Sequence, residues 1–203
     1  MIAAEWGAVT GEATEYWQRT LEQAPDGLAW RTLDVTVARG APVVAALPSD
    51  LVSGLRHTAL MLGTTQDAVL LAAYLRVLAL ISGTGTAGAW LLDDVRGPAG
   101  VGEEALGDFR SLLPISMSCD VPTWASLVER TDAALAAHRP YRLFPVAELV
   151  ETGSVPGALF EYCEMPPTAR PSAGSLGPVE RTITDSPVAP LTLTVEDAAD
   201  AAA

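Results

Sequence analysis

The sequence predicts an α+β fold, a mixed β-sheet with packed helices. Three observations point there. Segments of helical period and short extended segments follow one another without the strict βαβ alternation of a parallel α/β protein. Hydrophobic residues make up 49% of the 203, a share that a solvated disordered chain does not reach and that suffices for one domain or a large lobe of one. The longest strongly apolar run, residues 68–75, is closed by Asp67 and Arg76, far short of the ~20 residues of a membrane-spanning helix.

The elements follow in order. Residues 12–24 read as a helix, with Ala13, Trp17, Leu21 and Ala24 at spacings of three and four and Pro25 closing the run. Residues 27–39 read as a strand, because Leu33, Val35 and Val37 alternate with polar neighbours. Residues 42–47 read as a second short strand. Ser49 is the expected N-cap of a helix ending at Gly63, with Leu51, Leu55, Ala59 and Leu62 facing the core. Thr64 is the expected cap of the next helix, residues 66–82. That helix is apolar nearly all round, which predicts burial on several sides.

A glycine-rich loop over 83–88 leads to a short strand at 89–92. A second loop, 97–107, is rich in glycine and acid. Residues 109–119 read as extended. Pro122 marks a helix start, followed by Trp124, Leu127, Val128, Thr131, Leu135 and His138 at helical spacing. Pro145 opens a short helix through Val150. Residues 159–165 and 191–195 read as strands. One domain is expected over 1–195, with 196–203, acidic and alanine-rich, as a linker-like tail.

Charge and composition exclude several functions. The net charge is −13, and an acidic chain repels phosphate backbones, so nucleic-acid binding is not expected. All 12 basic residues are arginine, and the chain has neither lysine nor asparagine. That removes Schiff-base chemistry, the Walker phosphate loop and N-glycosylation. The N-terminus carries no basic segment followed by an apolar one, so no secretory signal is expected. The two cysteines, Cys119 and Cys163, form neither a CxxC pair nor a disulfide framework. A cytoplasmic setting, with no membrane partner, is the expectation.

The candidate chemistry is thin. Gly83, Gly85 and Gly88 match GxGxxG. The dinucleotide fingerprint follows a strand and opens a helix, whereas this loop follows a helix and leads to a strand, so a plain connection is expected. His57 and His138 have no second ligand at metal spacing. His138 stands near a helix C-terminus, where the dipole favours an imidazolium. Asp93 and Asp94 end a strand and precede Arg96; an ion pair with Arg96 is the expected reading, acid–base or metal chemistry the alternative. Glu103 and Glu104 read as a solvated loop pair. Ser53, Ser82, Ser111, Ser116 and Ser118 stand outside any GxSxG elbow.

Several segments together resemble the C-terminal lobe of condensation domains from nonribosomal peptide synthetases, of the chloramphenicol-acetyltransferase-like superfamily. Tyr16, Trp17 and Leu21 look like the entry to that lobe. Leu47, Pro48, Leu51 and Leu55, then Gly63, Thr64 and Thr65 and the helix through Tyr74 and Leu78 to Gly83, resemble its most recognisable stretch. Leu106, Gly107, Asp108 and Phe109 are similar to its IGxFVNT segment. His138, Arg139, Pro140 and Tyr141 resemble its HQDYPFE segment, and residues 156–162 its PLFxxxF strand.

The resemblance covers roughly residues 14–165 and implies one lobe of a chloramphenicol-acetyltransferase-like fold. The family's catalytic HHxxxDG motif has no counterpart here, since no two histidines are adjacent. Arg110, Ser111 and Leu112 replace VNT, and Arg142, Leu143 and Phe144 replace PFE. The resemblance therefore implies a truncated, degenerate domain with no catalytic, cofactor-binding or metal residue. Its expected role is structural or docking, beside an adenylation domain or other synthetase domain. A carrier protein bearing phosphopantetheine, or a second copy of the chain, are further expected partners. The alternatives are a split acyltransferase completed by a second chain, with His138 and Asp94 as residues to test, and a domain that binds acyl-pantetheine or another small molecule.

Overall fold

A computed structural model describes residues 9–22, 43–101, 107–150, 157–165 and 191–198. The expected strand at 27–39 and the pair Glu103 and Glu104 lie outside the described residues. Four helices are present among them: α1 (Gly11–Glu22), α2 (Ser49–Leu62), α3 (Gln66–Ser82) and α4 (Trp124–His138). Two 3-10 turns, Arg139–Tyr141 and Val146–Leu149, follow α4. Strands β1 (Thr86–Asp94), β2 (Arg110–Ser118), β3 (Ala158–Met165) and β4 (Leu191–Ala198) form one sheet in the order β2-β1-β3-β4. β1 is antiparallel to β2 and parallel to β3, and β3 is parallel to β4. The sheet is mixed and the fold α+β, as the sequence predicts.

The register places the core residues in rows. Ala87, Ala89 and Leu91 on β1 stand opposite Met117, Ile115 and Leu113 on β2, and all six are buried. Leu91 also faces Phe160 on β3, which faces Leu193 on β4. α3 lies on β1 and β3, α4 on α3 and β2, and α1 on β2. The two alanines of β1 leave room above the sheet for the large residues of α3. Leu71, Leu75 and Leu78 fill that room and are at most 2% exposed. Small residues facing large ones is how two layers reach crystal-like density without voids.

Local chemistry explains most element ends. α2 and α3 each stop at a glycine in the left-handed region, Gly63 and Gly83, whose N–H groups bond back to the last turn. Gly83 at φ 67 is what the GxGxxG match amounts to: a helix stop leading into β1. α4 is capped by Thr123, whose Oγ1 accepts from the Ser126 N–H at 3.1 Å, one residue after the expected Pro122.

Other expectations need correction. Ser49 is the first residue of α2 rather than its cap, and its carbonyl accepts from the Ser53 hydroxyl at 2.8 Å. Thr64 caps nothing; Thr65 takes that position, and the Thr64 hydroxyl donates instead to Asp132 on α4 at 2.7 Å. Residues 43–48 form no strand, and Val43 and Val44 are 92% and 83% exposed, so nothing pairs with them among the described residues. On α2 only Ala59 is buried; Leu51 is exposed, because α2 touches the core through its last turns. α3 is less enclosed than its composition predicts, with Val77, Leu80 and Ile81 exposed. β1 is longer than the expected 89–92, because its antiparallel partner holds all nine residues. β4 runs to Ala198, past Val195 and into the acidic segment, because β3 offers a ladder for the whole length.

Candidate functional site

A cleft of about 920 Å³ opens between the α2–α3 turn, the ends of β1 and β3, and the C-terminal end of α4. Its walls carry four arginines, Arg56, Arg110, Arg139 and Arg142, and four carboxylates, Asp67, Asp93, Asp94 and Glu161. The overall negative charge of the chain is thus locally balanced. Most of these groups already have partners in the fold.

Asp93 carries a carboxyl shifted by its surroundings. It is the second-to-last residue of β1, with side-chain exposure of 32%. Burial pushes its carboxyl up, and the Arg142 guanidinium partly pulls it back. Arg142 Nε lies 2.8 Å from one carboxylate oxygen, and Nη2 donates to the other at 2.8 Å and to the Asp94 carbonyl at 2.9 Å. The expected partner was Arg96. Its backbone N–H instead donates to the Asp94 side chain at 2.8 Å, and its guanidinium lies over the Phe109 ring at 4.9 Å. The ion-pair reading therefore holds, with a different arginine.

Arg110 begins β2 and ties three strands together. It donates to Asp108 at 2.8 and 3.0 Å and to Glu161 on β3 at 3.3 Å, while Glu161 accepts from Thr194 on β4 at 3.2 Å. Arg110 holds the Asp108 carboxyl below the ordinary range. Just before it, Gly107 has φ 153, and a Cβ there would stand 3.1 Å from the Phe109 ring. Only glycine fits that approach without a shift, which accounts physically for the glycine and phenylalanine of the IGxF-like segment.

His138 closes the cleft at the end of α4. It is 6% exposed, and its Nδ1 shares a 2.6 Å hydrogen bond with the Tyr16 hydroxyl. Burial pushes its imidazole down to about 4. The expected imidazolium is therefore absent at neutral pH: desolvation exceeds the helix-dipole effect. A group with that value is a weak general base. Around it, Trp17 donates to the Tyr141 carbonyl at 3.1 Å, Tyr16 stacks on Tyr141 at 4.5 Å, and the Tyr141 hydroxyl donates to Glu12 at 2.6 Å. The structure thus joins two family-like segments that stand over 120 residues apart in sequence.

The remaining candidates stay separate. His57 is exposed on α2, and no group of three metal-ligating side chains occurs among the described residues. Cys119 is buried, and burial raises its thiol; Cys163 reaches the cleft. Ser53 and Ser82 bond to their own helices, and Ser118 sits at the end of β2. Sequence reasoning missed Asp197. This β4 carboxylate accepts from Gln66 at 3.3 Å and Tyr162 at 2.8 Å and lies 3.5 Å from Arg56. No local pattern announces it, because its three partners come from three other elements.

No family model and no curated protein matches the chain. Solved structures do. The fold is that of nonribosomal peptide synthetase condensation domains, over part of their length. The first condensation domain of the CDA synthetase superposes with a TM-score of 0.61 at 17% identity, covering 82% of this chain and 38% of that one. The nonribosomal peptide synthetase FmoA3, in an AMPPNP-bound form, gives 0.65 at 18% identity, covering 91% and 20%. The EpoB cyclization-docking bidomain from Sorangium cellulosum gives 0.58 at 17%, covering 79% and 36%. The chain spans less than half the length of each. Among the described residues no single helix is long and apolar enough to cross a membrane.

Proposed function

We propose that the chain is a non-catalytic, condensation-like module, corresponding to the C-terminal lobe, that docks a neighbouring domain of a nonribosomal peptide synthetase, an adenylation domain first among them. The observation that carries this reading is the row of exposed apolar side chains on the C-terminal half of α3. Val77, Leu80 and Ile81 recur at helical spacing and are 48%, 65% and 58% exposed. Contiguous apolar surface of this kind marks an interaction site. Two further facts support it. Most charged groups of the cleft, and His138, are engaged in holding the fold, as with Asp93 and Arg142. The fold recurs inside a much longer synthetase chain, of which this one covers 20%. A cytoplasmic setting belongs to the same reading.

The test is the pair Leu80→Ser and Ile81→Ser within the full synthetase. Slower adenylation, or a changed domain arrangement by small-angle scattering, is expected. Unchanged values for both sink the docking role. Turnover of aminoacyl and acyl thioesters by the 203-residue chain alone, above background, overturns the non-catalytic part.

The size of the cleft favours a second reading, a binding site for acyl-pantetheine or a carrier-protein arm, since ligand sites fall in this volume range. Thermal shift with acyl-pantetheine separates the two. Stabilisation that is lost in Arg110→Ala supports this second reading.

A further inference from the structure

We propose that β4 pairs antiparallel with β4 of a second copy of the chain, extending the sheet across a twofold axis. This surface is separate from the helix face discussed above and does not depend on it.

The inference starts from the direction of the backbone groups. Among the described residues β4 is an edge strand, with β3 its neighbour in the sheet. The Leu191 N–H donates to the Gly157 carbonyl at 3.3 Å, so the odd-numbered residues of β4 turn their backbone groups toward β3. Thr192 and Thr194 therefore turn theirs to the opposite side. Such a row is a template for another strand. The far edge of the sheet is guarded by Pro114 in the middle of β2. β4 has no proline and no basic residue over its length.

The sequence of β4 is complementary to itself in one register. Centring the twofold on Leu193 sets Thr192 opposite the partner's Thr194. Those two residues then exchange N–H···O bonds on each side of the axis. On one face the threonines meet as cross-strand pairs. On the other, Leu193 meets its own copy and Leu191 meets Val195. These three residues are half-buried against the core, with apolar surface still to cover. Charge selects the orientation. Parallel pairing would stack Glu196 on Glu196 and Asp197 on Asp197. Antiparallel pairing carries the two acidic ends to opposite sides of the axis. Two-fold dimers are also the commonest assemblies of soluble chains.

The experiment is sedimentation velocity on the 203-residue chain from low to high micromolar concentration. The expected result is a doubling of mass with concentration. Thr194→Pro removes an outward N–H that β3 does not use, so it should leave the circular dichroism spectrum intact and abolish the dimer. If the proline variant fails to fold, a charge pair decides. Thr192→Lys with Thr194→Lys should weaken the dimer at least about tenfold. Mixing it with Thr192→Glu/Thr194→Glu should restore a heterodimer. A monomer at every concentration overturns the proposal. So does a dimer that survives the folded proline variant or both charge variants.

Discussion

His138 illustrates how a single buried side chain sets a pH dependence. Its ordinary value is 6.5, and in the fold it is about 4. Between these values the unfolded chain binds the proton and the folded chain does not, so stability falls as pH drops from 6.5 toward 4. The full gap corresponds to about 3 kcal/mol. Urea unfolding at neutral pH and at pH values inside that window should show the loss, and His138→Gln should flatten it. An unchanged slope in the variant would assign the effect elsewhere. Asp93 makes the neighbouring case. Arg142→Leu leaves its carboxylate partly buried without a counter-charge. The pair is a quarter to a third exposed, so a destabilisation of about 1–2 kcal/mol is expected rather than the larger cost of a fully buried pair. Gly107→Ala should force the Phe109 ring away from the added methyl, disturbing its contact with Arg96. A Phe109 ring resonance that stays put would refute that.

At the scale of elements, the last strand is held by more than its ladder. Asp197 joins β4 to α2 through Arg56, to α3 through Gln66 and to β3 through Tyr162. Asp197→Ala should cost about 1–3 kcal/mol by leaving several donors without their acceptor. Hydrogen exchange should localise the loss to β4 and the start of α3. Loss spread evenly over the sheet would mean that β4 is held by its backbone alone. The helices were legible from spacing, as α1 and α3 show, because a helix buries a stripe that recurs every three or four residues. β4 was half legible. Leu191, Leu193 and Val195 alternate, but the acidic end beyond Val195 reads as solvated until Tyr162 and Gln66 are brought to it by the fold.

Over the whole molecule, charge and apolar exposure act in opposite directions. A net charge of −13 opposes compaction by self-repulsion. Thermal stability should therefore rise as salt is added from low ionic strength, until screening within about 10 Å at 0.1 M is reached. A melting temperature that falls over that range would show that the arginine pairs, Arg142 with Asp93 and Arg110 with Asp108, outweigh the repulsion. The exposed residues of α3 follow a different logic. From sequence this helix reads as buried on several sides, and in the fold Leu71, Leu75 and Leu78 form its buried face. Composition cannot say how many neighbours a helix has, so the exposure of Leu80 and Ile81 emerged only with the neighbours in place.

By itself, the sequence determined the fold class, the four helices, the direction of the glycine loop at 83–88 and the chemistry that a chain without lysine lacks. All are local properties, set by side-chain period, backbone freedom and residue type. The tertiary structure alone decided the strand order, the pairing of Asp93 with Arg142 instead of Arg96, the neutral state of His138 against Tyr16, and the anchoring of β4 by Asp197. Each of these depends on groups from distant parts of the chain meeting in a desolvated place. There burial and geometry outweigh the preferences that neighbours in sequence express.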